Sequence, residues 1–142
     1  MLLRGIFVDT SAWIALYYRK DSLHDKAKDV YRGLLDNFCL ITTNFILDET
    51  CTGLLYKAGH AVAVDFGERI RNTEAIKIIY ITEDIENKSW EMFKHYSDKK
   101  FSFTDCTSFI ILQYLISNGD KVERKIFTAD NHFNQMGYEI LL

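Results

Sequence analysis

Four acidic residues lie where short apolar or helical patterns begin or end. Asp9 directly follows a short apolar run, and Asp130 comes shortly after another. Asp105 lies at the start of an apolar helical pattern, and Glu49 lies in the second turn of an earlier one. In a parallel sheet, the carboxyl ends of the strands and the starts of the following helices share one edge. We therefore expect these four carboxylates to converge in one cleft.

Four carboxylates in one cleft repel each other unless a cation lies among them. Hard divalent cations with oxygen ligands, Mg²⁺ or Mn²⁺, suit such a site. These cations activate a water molecule and neutralise charge that builds on a phosphoryl group. The alternative is that each acid is a helix cap or a solvated surface residue, since acids favour the first turn of a helix. Placement alone leaves both interpretations open.

The elements that must position these acids alternate along the chain. Strand-length apolar runs, rich in β-branched residues, occupy residues 5–8, 39–42, 76–81, 125–128 and 138–141. Between them, apolar residues recur at helical spacing, at 27–35, 46–55, 90–96 and 109–115. Alternating strands and helices predict an α/β fold of three layers, with a mostly parallel sheet of four or five strands between helices.

The predicted helices carry local start and stop signals. Asn44 and Thr104 stand at the starts of two helical patterns, where their side chains can cap free backbone amides, and the pattern at 90–96 comes after Thr82. Gly119 follows the last of these patterns and predicts its end.

Composition limits the class of protein. The 142 residues predict one domain, residues 1–142, with no linker and no proline. A net charge of −3, from 17 basic and 20 acidic residues, excludes a polybasic protein that binds by bulk charge. Three cysteines without a CxxC pair indicate neither a disulfide framework nor a zinc site. We find no signal peptide and no membrane span, and expect a cytoplasmic protein.

Four short motifs, in order along nearly the whole chain, resemble those of PIN-domain ribonucleases. The likeness is strongest to the VapC-type toxins of toxin–antitoxin pairs. The motifs are Val8-Asp9-Thr10-Ser11-Ala12-Trp13, Leu47-Asp48-Glu49-Thr50, Phe101-Ser102-Phe103-Thr104-Asp105-Cys106-Thr107-Ser108-Phe109 and Thr128-Ala129-Asp130-Asn131-His132-Phe133. Each motif alone is weak, and the ordered set is what indicates the family.

The resemblance implies a role for each of these acids. Asp9 and Asp105 match the acids that hold the principal Mg²⁺, for which Mn²⁺ can substitute. Glu49, rather than Asp48, matches the acid of the third helix, and Asp130 matches a fourth acid that acts partly through water. The implied activity is hydrolysis of RNA phosphodiester bonds by a metal-dependent endoribonuclease.

The resemblance also implies supporting residues and partners. The small polar residues expected to orient or accompany the carboxylates are Thr10, Ser11, Thr104 and Asn131. VapC-type toxins form homodimers, and an antitoxin tail inhibits them, often by placing an arginine among the carboxylates. The expected partners are therefore RNA, a second copy of this chain and a cognate antitoxin, with no membrane.

Two other functions remain open at this point. The chain can be a solitary PIN-domain nuclease in RNA processing, or a PIN-like binding scaffold without catalysis. A phosphate-receiver domain fits poorly, because the predicted fifth strand ends the chain without the required lysine.

Several conspicuous residues have ordinary interpretations. We expect a structural role for His132, although it stands beside the acidic site, and a core position for Trp13 and Cys106. Tyr17 and Tyr18 add aromatic surface to the first helix, which favours a partner groove there.

Overall fold

A parallel sheet organises the part of the chain that the computed structural model describes, residues 4–142. Its strands are β1 (Arg4–Val8), β2 (Phe38–Thr43), β3 (Ile76–Ile79), β4 (Val122–Phe127) and β5 (Glu139–Ile140). The order across the sheet is β3-β2-β1-β4-β5, and every neighbouring pair is parallel. The predicted parallel sheet is confirmed. The largest difference in bounds is at β4, which begins three residues earlier than its apolar run.

Seven helices connect and cover the strands in residues 4–142. They are α1 (Thr10–Tyr17), α2 (His24–Asn37), α3 (Asn44–Ala58), α4 (His60–Arg71), α5 (Glu83–His95), α6 (Phe103–Ser117) and α7 (His132–Gln135). Helices and sheet together form a three-layer α/β fold, as expected. Within the described residues, none of these helices combines the length and apolar character needed to cross a bilayer.

Strand β1 occupies the centre of the sheet because its side chains are apolar on both faces. Ile6, Phe7 and Val8 are almost completely buried, as a central parallel strand between two layers of helices requires. The chain runs outward from β1 to β2 and β3, and then returns to place β4 on the other side of β1. Val8 pairs with Phe127 at the carboxyl ends of β1 and β4. This is the reversal of strand order at which open α/β sheets bind ligands.

Two of the predicted helix caps are wrong by one or two residues. Thr43, not Asn44, caps α3, and its hydroxyl accepts a hydrogen bond from the Ile46 amide at 3.1 Å. The Asn44 side chain instead accepts the Ile81 amide at 2.8 Å, so it joins α3 to the segment after β3. Because Thr43 caps the helix, the side chain of Asn44 is available for this longer-range contact.

The second correction concerns α6. Ser102, not Thr104, is its N-cap, and Thr104 lies inside the first turn. The prediction for Gly119 is confirmed, and Thr82 is the N-cap of α5. Thr82 accepts the Ile85 amide at 3.3 Å. Gly119 has φ +78°, a value that side chains disfavour, just after the end of α6.

The aromatic residues of α1 belong mostly to the core. Trp13 is fully buried, with its ring 5.7 Å from Phe66 and 6.3 Å from Tyr31. Tyr17 is half-buried and meets the Phe66 ring edge-on at 5.1 Å. The core position of Trp13 is confirmed, as is that of Cys106, which is completely buried.

Candidate active site

The site begins with Asp9, the residue after β1. Its amide donates to the carbonyl of Phe127 at 3.1 Å, which extends the pairing of β1 with β4 by one step. The side chain is buried, and its Oδ2 accepts a hydrogen bond from the hydroxyl of Thr128 at 2.9 Å. Asp9 is therefore fixed at the carboxyl edge of the sheet by Thr128, the residue that follows β4.

A chain of hydroxyl groups holds Thr128 in turn. Because the Thr128 hydroxyl gives its one proton to Asp9, it must accept from Ser11 Oγ, which lies 2.9 Å away. Ser11 Oγ accepts the Ala129 amide at 2.9 Å, and Thr128 Oγ1 accepts the Asp130 amide at 3.0 Å. The loop after β4 is thus tied to the start of α1.

Asp105 is held by a reciprocal cap at the start of α6. The Ser102 hydroxyl accepts the Asp105 amide at 2.9 Å, and Asp105 Oδ2 accepts the Ser102 amide at 3.0 Å. This capping box satisfies two backbone amides that would otherwise be free. Asp105 Oδ2 also lies 2.8 Å from the Nδ1 atom of His132. One carboxylate oxygen of Asp105 therefore has two protein partners.

Asp130 and His132 complete the cluster. Asp130 Oδ1 accepts the backbone amide of His132 at 2.9 Å and lies 3.3 Å from its Nδ1. One ligand atom from each of Asp105, Asp130 and His132 lies within 4.8 Å of the others, a spacing suited to a metal ion. The edge of the sheet thus brings the start of α6 together with the loop after β4.

The charges of the three acids reinforce one another, and no lysine or arginine in the described part of the chain neutralises them. Burial, then the charges of Asp105 and Asp130, raise the pKa of Asp9 to about 7, although hydrogen bonds from Thr128 and the Thr10 amide oppose the shift. Burial and the charge of Asp130 also raise the pKa of Asp105, against hydrogen bonds from Ser102 and His132. Throughout residues 4–142, no lysine or arginine forms an ion pair with any of these three acids.

The donor set fits a hard divalent cation. Asp105 Oδ1 and Asp130 Oδ2 have no hydrogen-bond partner within the described chain, while the other oxygen of each carboxylate is held by protein groups. Oxygen ligands and uncompensated negative charge are what Mg²⁺ and Mn²⁺ require. Asp105 and Asp130 therefore each offer a free carboxylate oxygen of the kind that such an ion binds.

Glu49 occupies a different position from the other three acids. It lies in the second turn of α3 with an exposed side chain, and it forms no ion pair or hydrogen bond with any described residue. The charges that raise the pKa of Asp9 come from Asp105 and Asp130. The structure thus brings three of the four predicted acids together, and the role of Glu49 stays a prediction.

The expected supporting residues differ in their contacts. Ser11 acts on Asp9 through Thr128, as described above. The buried hydroxyl of Thr10 has no partner among the described groups. Thr104 contributes its backbone carbonyl, which accepts the hydroxyl of Thr107 at 2.7 Å. Asn131 is exposed, and its side chain contacts Asn134 at 3.4 Å.

Three residues that touch the carboxylates were not predicted to do so. Ser102 carries a readable signal, since serine three positions before an acid is typical of a capping box. Thr128 lies in the quoted motif, but its contact with Asp9 depends on the pairing of β1 with β4. His132 stands two residues after Asp130, and no sequence pattern indicates which way its ring turns.

Comparisons with known proteins agree with this geometry. The PIN domain family matches residues 6–138. The 23S rRNA-specific endonuclease VapC20 of Mycobacterium tuberculosis is 31% identical over 94% of this chain and 95% of that protein. The VapC ribonuclease of Archaeoglobus fulgidus is also 31% identical, over 89% of this chain and 78% of that protein.

Solved structures show the same likeness. The crystal structure of M. tuberculosis VapC20, described as a toxin that cleaves the sarcin–ricin loop, has a TM-score of 0.81 at 30% identity, covering 94% of this chain and 95% of that one. The VapBC2 complex of Rickettsia felis, bound to promoter DNA, has a TM-score of 0.62 at 11% identity, with 96% of each chain covered, which shows a common fold alone.

The chain belongs to the PIN-domain family. Its similarity to the two VapC proteins, along nearly its whole length, places it with the VapC-type members of that family.

Proposed function

We propose that this protein is a Mg²⁺-dependent endoribonuclease and the toxin of a toxin–antitoxin pair, active in the cytoplasm. The observation that carries the proposal is the convergence of Asp9, Asp105 and Asp130 at the β1/β4 edge, without a lysine or arginine to neutralise them. The 31% identity to an rRNA endonuclease over nearly the whole chain supports RNA as the substrate.

In the proposed mechanism, Asp9 and Asp105 would hold the principal cation, and Asp130 and Glu49 would complete the acidic ring directly or through water. A bound divalent cation supplies a Lewis acid and lowers the pKa of water. Thr128 and Ser102 hold one oxygen of Asp9 and one of Asp105, respectively, so both carboxylates keep a fixed orientation before substrate arrives. Such fixed groups stabilise charge without reorganising during the reaction.

The raised pKa of Asp9 couples metal binding at the proposed site to the loss of a proton. In the metal-free protein Asp9 carries a proton for part of the time near neutral pH, because its pKa is about 7. Metal binding requires the ionised carboxylate, so it must displace that proton. Metal affinity should therefore rise with pH through this range.

The proposal is tested by cleavage of total RNA and of intact ribosomes, with ends mapped by primer extension. We expect discrete cuts with Mg²⁺ or Mn²⁺, no cuts in EDTA, and none with Asp105→Asn. Because water rather than the ribose 2′-hydroxyl attacks in this mechanism, the products should lack 2′,3′-cyclic phosphate. Cleavage that persists in EDTA, or cyclic phosphate ends, would contradict the proposal.

An exposed aromatic cluster supports the proposed homodimer. The rings of Trp90 and Phe93 in α5 stack, with centroids 5.7 Å apart and an interplanar angle of 20°. Both residues are nevertheless solvent-exposed, Trp90 by 51% and Phe93 by 40%. Phe103 packs against both rings and against Phe45 of α3. Exposed contiguous apolar surface of this kind marks interaction sites. We propose that a second copy of the chain covers it.

Light scattering after size exclusion at micromolar protein tests the homodimer. We expect the parent to be dimeric and Trp90→Ala to be shifted toward monomer. Tyr56→Ala is the control, because Tyr56 is 84% exposed on α3 and belongs to no such cluster. A parent that is strictly monomeric would contradict the proposed dimer.

A groove between α1, α2 and α4 suits the proposed antitoxin. Its apolar lining includes Tyr17, Tyr31 and Val62, and its basic lining includes Arg19 and Lys28, whereas Arg69 is paired with Asp65 at 3.0 Å. An amphipathic segment with acidic residues fits this combination of apolar and basic lining. An arginine on the same partner can satisfy the carboxylates by paired hydrogen bonds and so exclude metal and RNA.

A further inference from the structure

His132 contacts two of the proposed metal-binding carboxylates, and its ring is held from several sides. Its backbone amide donates to Asp130 Oδ1 at 2.9 Å, and its Nδ1 lies 2.8 Å from Asp105 Oδ2. The ring of Phe101 meets the imidazole edge-on, with the centroids 5.3 Å apart. The histidine is therefore fixed in position rather than free on the surface.

The support of this ring continues into the core. Phe101 packs edge-on against Phe109, with ring centroids 5.1 Å apart. Phe109 packs in the same way against Phe133, also with centroids 5.1 Å apart. Phe133 in turn contacts Phe7 of the central strand, at 6.4 Å. A continuous row of aromatic contacts thus joins β1 to the imidazole. Rigid support of this kind is what a residue needs if it is to hold another group in place.

The direction of the hydrogen bond follows from the acceptor. An ionised carboxylate only accepts, so His132 Nδ1 must carry the proton that it shares with Asp105 Oδ2. That oxygen also accepts the Ser102 amide, and the other oxygen, Oδ1, remains without a protein partner within the described chain. The two donors together decide which oxygen of Asp105 is available to an ion.

We infer that His132 is a positioning residue for the metal site: its Nδ1–H holds Asp105 Oδ2 and leaves Asp105 Oδ1 to the cation. The inference rests on the proposed function, since it assigns a role at the same site. It differs from direct ligation by His132 and from contact between His132 and RNA. Groups that orient metal ligands typically change metal affinity by 10- to 100-fold when they are removed.

Replacements at position 132 separate these roles. Asparagine places its amide nitrogen the same number of bonds from the backbone as Nδ1, so His132→Asn can keep the donor to Asp105. His132→Gln places its amide nitrogen at the level of Nε2, and His132→Ala removes the donor. His24→Ala is the matched control, because His24 Nδ1 makes a 2.7 Å hydrogen bond to the Ala15 carbonyl in another part of the fold.

The experiment is Mn²⁺ titration of the full chain without RNA, by calorimetry and by electron paramagnetic resonance. We expect His132→Ala and His132→Gln to lose about 10- to 100-fold in Mn²⁺ affinity. His132→Asn and His24→Ala should stay near the parent. In RNA cleavage, His132→Ala should lower kcat at limiting Mn²⁺, recover it at high Mn²⁺, and leave the KM for RNA unchanged.

Other outcomes overturn the inference in distinguishable ways. If the parent binds Mn²⁺ and His132→Ala binds it equally well, the positioning role is wrong and the proposed function stands. A nitrogen coupling from the imidazole in the Mn²⁺ spectrum would show direct ligation instead. A change in KM alone would show contact with RNA. A folded parent that binds no Mn²⁺ would overturn both the inference and the proposed function.

Discussion

Replacing Asp9 with asparagine should stabilise the metal-free protein above neutral pH while strongly lowering its activity. The folded protein raises the pKa of Asp9 from 3.8 to about 7, so ionising this group costs folding free energy. A difference of about three pKa units corresponds to about 4 kcal/mol at pH well above 7. Asparagine keeps the size of the side chain and an oxygen that can accept the Thr128 hydroxyl, but it carries no charge.

The assay is urea denaturation of the parent and of Asp9→Asn in EDTA at about pH 8, where Asp9 is mostly ionised in the folded parent. We expect Asp9→Asn to be more stable by about 1–4 kcal/mol, the upper figure being the whole ionisation cost. Asp48→Asn serves as the control, because Asp48 is exposed on α3 and its removal relieves no buried charge.

Added Mg²⁺ should stabilise the parent more than it stabilises Asp9→Asn. At about ten times its Kd, a cation that binds only the folded state adds about 1.4 kcal/mol to the parent. Asp9→Asn should gain less, and its cleavage rate should fall on the order of 100-fold or more. Equal stability of the two proteins in EDTA, together with an equal response to Mg²⁺, would refute the argument. It would show that the charge of Asp9 neither destabilises the metal-free protein nor binds the metal.

Three further predictions follow from the same contacts. In EDTA, the parent should lose stability as pH rises from about 4 to about 7, because the folded state holds the Asp9 proton more tightly than the unfolded chain does; denaturant midpoints across that range check the sign. Glu49→Gln should slow RNA cleavage on the order of 10-fold or more, whereas Asp48→Asn should not, and equal rates would remove Glu49 from the site. Thr128→Val should cost about 1–3 kcal/mol of folding free energy and slow cleavage, because it removes the side-chain donor to Asp9; Thr128→Ser should restore both, and failure of that rescue would argue against the hydroxyl.

The sheet was predictable because its signals are local. The strand-length runs around Ile6, Leu40, Ile78 and Ile126 are all strands of one sheet, since β-branched apolar runs suit a layer buried on both faces. Helix α4 was not predicted. Its buried face consists of Ala63, Phe66 and Ile70, and exposed apolar residues such as Val64 obscure that pattern.

The site was predictable where it depends on strand ends and not where it depends on contacts between strands. The positions of Asp9 and Asp130 follow from the ends of β1 and β4. The Thr128–Asp9 hydrogen bond requires the register that pairs Val8 with Phe127, which no single-sequence pattern specifies. Helical spacing placed Glu49 in the second turn of its helix, but it did not predict the contacts of the side chain.

We propose above that this protein hydrolyses RNA with a divalent cation bound by three converging carboxylates. The most direct test is the rate of RNA cleavage by the parent and by Asp105→Asn across a Mg²⁺ titration, with both proteins shown to be folded. The parent rate should rise from zero to a plateau with Mg²⁺, and Asp105→Asn should stay at least about 100-fold slower throughout. A folded Asp105→Asn protein that cleaves as fast as the parent, with the same Mg²⁺ dependence, would contradict the proposal.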